Sequence, residues 1–423
     1  MATTPQELVR MLGELGRVTD EPGRLTRTFL SPAMERANHL VGGWMREAGL
    51  TVREDDTGNL IGRLPAGPEP VEGVARNQKV KTLLLGSHLD TVRNAGRFDG
   101  ALGVLLSIVA LAELKRRRVA LPFQVEVLGF SEEEGVRFTG AYLGSKAYTG
   151  RLRAADLKLT DIRGQTLREV IEAHAGRRFT PPKPAHRQSN LLGYFEVHIE
   201  QGPVLEKKRM AVGVVSSIAG QSRIILVWTG QAGHAGTTPM ALRRDAFAGA
   251  VEFALAVERL ARGTPGLVAT VGFLEVTPGA ANVIPGLVLH TLDVRHACDA
   301  DRCAALVKLD RLATQIANRR GLRCAWRRTQ EDGAVGCSPA LTAKLTRSVQ
   351  VVQGKSISLV SGAGHDGVVM SQLTPIAMLF VRCRGGLSHH PGEYAAPKDL
   401  AVALRVTLDF LERLAADYTD EHG

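Results

Sequence analysis

Three consecutive segments constrain this chain more than any others. TLLLG at 82–86 is a short continuous apolar run, GALGVLLSIVALAELKRRR at 100–118 has helical spacing, and FQVEVLGF at 123–130 alternates and then turns apolar. Buried parallel strands read as continuous apolar runs, so the order predicts strand, helix and parallel strand with a right-handed crossover. Both strands then end on the same edge of the sheet, where α/β proteins bind ligands.

The rest of the chain extends that reading. Residues 4–20 and 31–48 are amphipathic, and the first helix is expected to be capped by Thr3 or Thr4 with Glu7 following. The polar, Gly- and Pro-rich stretch 66–79 reads as a loop, 151–190 as a helix and a loop, and 194–202 as a strand. From 213 to 330 the pattern becomes β-α-β-β-α-β, which predicts a ferredoxin-like unit. A chain of 423 residues exceeds one typical core. The expected domains are therefore 1–212 with 331–423, and 213–330.

Bulk properties exclude several function classes. The net charge of +10 reads as an Arg-rich solvated surface that would also draw in an anion. The one dense run, Lys115 to Arg118, suits a helix C-terminus, and no aromatic residues interleave with it, so no nucleic-acid partner is expected. The five cysteines form no Cys-x-x-Cys pair and read as reduced thiols. No segment has the apolar length of a membrane span, and no apolar signal region follows Met1, so a cytoplasmic location is expected.

Five short motifs carry the candidate chemistry. In GSHLDT, His88 and Asp90 are two apart and point to one side of an extended backbone, which suits a metal ligand and the carboxylate that orients it. In RFDGALGV, Asp99 reads either as a helix cap or as a carboxylate bridging two metals. SEEEG follows the second strand. Glu133 is assigned as general base, Glu134 as metal ligand and Glu132 as exposed, because acids gathered on one sheet edge call for a cation. In HIEQGP, His198 is a ligand, Glu200 its support and Gln201 a substrate contact. In GGLSHHPGE, His389 or His390 completes the set, with His389 preferred. One metal would take His88, Asp99 and His198, and the other Asp99, Glu134 and His389.

Those motifs, with GHAGTTPM, ANVIPG, LDVRH and GAGHDG, resemble the hydantoinase/carbamoylase family of amidases over about residues 5–415. That family sits among the aminoacylase- and carboxypeptidase-like di-metal hydrolases. The resemblance implies an α/β catalytic domain with a mixed sheet flanked by helices and an inserted lid that also makes a homodimer. It implies two divalent ions, Zn2+ or else Mn2+, Co2+ or Ni2+. It places substrate-binding residues at Gln201, His234, Asn282 and Arg295, with His234 and Asn282 reaching the partner's active site. His234 would also stabilise the developing oxyanion, and Arg295 would grip the substrate carboxylate. Without the resemblance, Arg295 reads equally as a structural partner of Asp293. His365 and Asp366 have no firm role, and Arg243, Arg244 and Asp245 read as a helix start.

The expected activity is hydrolysis of the ureido C–N bond of a small anionic acid, releasing CO2 and ammonia. An aminoacylase or dipeptidase with the same metals is the first alternative. A metal-dead ligand-binding protein is the second.

Overall fold

The apolar run at 82–86 extends as a strand from Thr82 to His88, with all seven residues buried. In the computed structural model, which describes residues 4–67 and 80–422, this strand lies among parallel neighbours. Gln124–Phe130 pairs with it on one side and Leu191–Ile199 on the other, and Ile376–Val381 pairs with Leu191–Ile199, all parallel. Antiparallel strands close the flanks: Leu60–Leu64 with Thr51–Glu54 beyond it, and Val212–Ile218. The sheet is therefore mixed around a parallel centre. Residues 68–79 of the expected 66–79 loop lie outside the described residues.

The helix Ala101–Arg116 explains why its sequence is apolar all round. Every residue from Ala101 to Leu114 is buried. Gly103 permits the approach to the sheet: a Cβ there would lie 2.2 Å from the carbonyl oxygen of Val197. The helices Pro5–Leu15, Pro32–Ala48 and Pro397–His422 pack with it into one core that contains Met11, Trp44, Phe195 and Phe410.

Local chemistry sets the helix ends. Thr4 accepts the Glu7 N–H, and Ser31 accepts that of Met34, each before a proline at the first helical position. The first helix stops at Leu15 rather than running to 20. Gly16 follows, and the buried Arg27 guanidinium takes the carbonyls of Leu15 and Val18. The strand expected at 194–202 ends at Ile199. The helix whose start is expected at Arg243 to Asp245 begins at Ala246, with Asp245 as its cap accepting the N–H groups of Phe247 and Ala248.

The chain divides into two compact units, Met1–Ser216 with Cys337–Gly423, and Ser217–Gly336. The second has a four-stranded antiparallel sheet in the order Arg323–Asp332, Gly220–Thr229, Leu287–His296, Val268–Thr277. With the helices Ala246–Gly263 and Asp299–Arg319 this is the ferredoxin-like order. Its core contains Trp228, Phe253 and Leu309. All five cysteines are free. Among the described residues, no helix is long and apolar enough to cross a membrane.

Candidate active site

The central parallel strands deliver imidazoles and carboxylates to one sheet edge. Thr82–His88 ends on the buried His88, whose Nδ1 faces the Asp90 carbonyl oxygen at 3.0 Å. His198, next to last on its strand, repeats the arrangement, with Nδ1 at 3.0 Å from the Ile199 carbonyl oxygen. A carbonyl only accepts. The hydrogen of each neutral ring therefore sits on Nδ1, and a lone pair is presented at Nε2. The Gly100 N–H, 3.2 Å from Nε2 of His198, marks that nitrogen as an acceptor too.

Both lone pairs face the same oxygen. Nε2 of His88 and of His198 lie 3.5 and 3.1 Å from Oδ1 of Asp99. The other oxygen, Oδ2, lies 3.2 Å from Nε2 of His389, which is itself 3.4 Å from Oε1 of Glu134. Asp99 thus turns one oxygen to each of two donor sets, and the ligand atoms of each set lie within 4.8 Å of one another. It does not cap the helix that follows, which has Gly100 at its N-cap and no side-chain cap.

Lone pairs facing a carboxylate repel unless a proton or a metal ion lies between them. Without metal, protons take that place. Burial opposes charge on both rings, but Asp90 and Asp99 outweigh it at His88 and Asp99 outweighs it at His198, holding both above the ordinary imidazole range. Contact with Asp99 pushes His389 up to about 9. Burial, with Asp99 adding, raises Glu134 to about 7. Three imidazoles around a two-faced carboxylate suit borderline divalent ions such as Zn2+, and the donor set fits two of them.

Asp90 ties the acidic turn to His88. Its carboxylate accepts the N–H groups of Glu133 at 3.0 Å and Glu134 at 3.2 Å. Glu133 is buried, and burial raises its carboxyl well above the usual range; Glu134, Asp366 and Asp90 add to this while His88 opposes it. A carboxyl raised in this way holds a proton more readily than an exposed one, as a group that takes and returns a proton must. Gln201, at φ 56°, donates from Nε2 to Asp99 Oδ2 at 2.9 Å. Its buried Oε1 has no partner among the described residues, which leaves an acceptor for an incoming N–H donor.

Two expectations are corrected. Glu132 is fully buried, not exposed: its two oxygens accept the N–H groups of Phe29 and Arg137. Glu200 does not support His198. Its carboxylate accepts the N–H groups of Val204 and Leu205, at the start of a short helix. Of the histidine pair, His389 joins the cluster, while Nδ1 of His390 accepts the Gly392 N–H within its own turn. His365 packs edge-on to His198, ring centroids 4.5 Å apart, with its Nε2 2.8 Å from the Ser361 hydroxyl.

Other contributors escaped the sequence reading. Arg27 donates to the Leu89 carbonyl and anchors the segment carrying Asp90. Ser388 lies 2.8 Å from Asp99 Oδ2, and Glu393 accepts the N–H groups of Phe98 and Asp99. Only the last two carried a signal, their place in the His389 motif.

The remaining candidates belong to the second unit. His234 pairs with Val283 on a two-stranded ribbon, and the Asn282 carbonyl accepts the Ala235 N–H, so His234 and Asn282 are neighbours. Arg243 donates to the Ala235 and Thr238 carbonyls and holds that loop, a role beyond starting a helix. Arg295 makes two hydrogen bonds to Asp293, of 2.7 and 3.0 Å.

Comparison with known proteins places this geometry. Residues 84–413 match peptidase family M20/M25/M40. Allantoate deiminase 2 of Glycine max is 39% identical over 97% of this chain and 89% of its own length. An N-carbamoyl-L-amino-acid amidohydrolase of Pseudomonas sp. (strain NS671) is 38% identical over 94% of each. The crystal structure of a hydantoinase/carbamoylase family amidase from Burkholderia multivorans superposes with a TM-score of 0.88 at 33% identity, covering 97% of both chains. With its two-faced aspartate and its flanking imidazoles, the chain belongs to the hydantoinase/carbamoylase amidases of peptidase family M20/M25/M40.

Proposed function

We propose that this protein hydrolyses the ureido C–N bond of a small carboxylate, either allantoate or an N-carbamoyl-L-amino acid, releasing CO2 and ammonia. One observation carries the reading: Asp99 offers its two oxygens to separate donor sets, and the acidic turn that brings Glu134 to one of them buries the carboxyl of Glu133. The names of the relatives narrow the bond to a ureido or carbamoyl one.

Two divalent ions, Zn2+ or else Mn2+, Co2+ or Ni2+, would be held by His88, Asp99 and His198 and by Asp99, Glu134 and His389. When bound, they supply Lewis acidity, polarising the carbonyl under attack and making water acidic enough to ionise near neutral pH. Glu133 takes the proton of the attacking water and returns it to the leaving nitrogen. Asp90 holds Glu133 and His88 in register. Gln201 accepts an N–H of the substrate at its unpartnered oxygen. Arg295, oriented by Asp293, grips the substrate carboxylate, and His234 and Asn282 serve the active site of a partner subunit, His234 stabilising the oxyanion.

The inserted unit would act as lid and as homodimer interface. Its helix Ala246–Gly263 leaves Phe247, Val251 and Leu255 exposed at four-residue spacing, on one helix face. Its edge strand Val268–Thr277 exposes Phe273 and Leu274. An apolar helix stripe and an open strand edge call for a covering partner.

The test is ammonia release by metal-replete enzyme from allantoate and a set of N-carbamoyl-L-amino acids, beside release of amino acid from N-acetyl amino acids and dipeptides. Turnover of a ureido substrate is expected. Turnover of N-acetyl amino acids or dipeptides alone would overturn the reading in favour of an aminoacylase or peptidase. Binding of ureido compounds without turnover would make the protein a ligand carrier.

A further inference from the structure

Glu393 is 4% exposed and lies 294 residues beyond Asp99 in the chain, yet it accepts from the backbone that presents Asp99. Its Oε1 takes the N–H of Phe98 at 2.8 Å and that of Asp99 at 3.1 Å. Its Oε2 lies 3.0 Å from the Ser388 hydroxyl, and that hydroxyl lies 2.8 Å from Asp99 Oδ2. One carboxylate therefore joins the Asp99 turn to the segment that carries His389. The fit is close: a Cβ on Gly96 would lie 2.3 Å from Cβ, Cδ and Oε1 of Glu393.

We propose that Glu393 is a positioning residue of the metal centre, fixing the peptide from which Asp99 projects so that its two oxygens reach both donor sets. This rests on the metal centre proposed above. The Asp99 side chain has only two torsions, so the direction of its oxygens follows the orientation of the 98–100 backbone. Two backbone N–H groups bonded to one buried oxygen set that orientation. Groups that orient metal ligands typically alter metal affinity by about 10–100-fold when removed. The role requires an acceptor at Oε1 and not a charge, because glutamine keeps that oxygen and can turn its NH2 toward the Ser388 oxygen.

The experiment uses the full chain, stripped with a chelator and titrated with Zn2+ alone by calorimetry, and separately with Co2+ by visible absorption. Glu393→Ala should lose about 10–100-fold in affinity for at least one of the two ions and shift the Co2+ spectrum. Glu393→Gln should restore both. Gly96→Ala, which displaces the Glu393 side chain without removing it, should behave as Glu393→Ala, and it decides the matter if the alanine variant fails to fold. Parent affinity and parent spectrum in folded Glu393→Ala, whatever its thermal stability, would overturn the proposal. So would a glutamine variant as impaired as the alanine one. A parent protein that binds neither ion would instead remove the metal centre itself, so the two failures are distinguishable.

Discussion

Glu132, Glu133 and Glu134 are adjacent in sequence and meet three different environments. Glu132 folds back onto the N–H groups of Phe29 and Arg137, Glu133 is buried against His88 and other acids, and Glu134 reaches His389. Strand ends and His/acid spacing point to His88, Asp99, Glu134, His198 and His389 because such a pattern marks side chains that a sheet edge can gather, and the structure brings their polar atoms together in two groups. Glu132 and Glu200 were misread because their partners are backbone N–H groups, which no residue-type pattern marks. Glu393 and Arg27 were missed for a related reason: their contacts join segments far apart in the chain. A base is also separable from a ligand by experiment. Glu133→Gln keeps shape and hydrogen-bonding length but removes the proton-accepting charge. It should lower kcat by about 10^2–10^4-fold, as loss of a general base does, with little change in KM or bound metal. Steady-state kinetics with metal analysis checks this, and a variant of full activity would remove Glu133 from the mechanism.

At the scale of elements, the site depends on where strands stop and how closely a helix approaches them. The β-α-β pattern at 82–130 is legible because two short apolar runs flank a long one, and strands and a helix buried on every side require that composition. The hairpin strands Thr51–Glu54 and Leu60–Leu64 were not: Thr51–Glu54 is four residues, largely exposed, and lacks alternation. The short helix Leu143–Tyr148 follows Tyr142 at φ 65°, a left-handed start that no helix signal announces. Gly100 shows how tightly element and site are coupled. It stands at φ 64° at the start of Ala101–Arg116, and a Cβ there would lie 2.4 Å from ring atoms of His88. Gly100→Ala should therefore displace the His88 ring and cost about 1–3 kcal/mol from the strained backbone. Calorimetric Zn2+ titration and thermal melting of the metal-free protein should both fall below the parent, and unchanged Zn2+ affinity would contradict the account.

For the whole molecule, the candidate residues are split between the two compact units. The interrupted unit holds the imidazole and carboxylate cluster, and the inserted unit holds His234, Asn282 and Arg295. The switch from β-α-β to β-α-β-β-α-β leads the sequence reading to an inserted unit over 213–330, and the compact unit in the structure runs from Ser217 to Gly336; which apolar faces stay uncovered depends on tertiary packing, which no sequence pattern marks. If Val251 and Leu255 line the proposed dimer interface, Val251→Glu with Leu255→Glu should convert a dimer to a monomer in light scattering. A double variant that stays dimeric would place the interface elsewhere. The central claim is that five side chains cage two divalent ions about Asp99. Anomalous diffraction at the metal edge from Zn2+-loaded crystals tests it most directly. The account predicts two peaks per chain, each about 2.0–2.2 Å from one Asp99 oxygen, one beside His88 and His198 and the other beside Glu134 and His389. Peaks only elsewhere, or none touching Asp99, would contradict it.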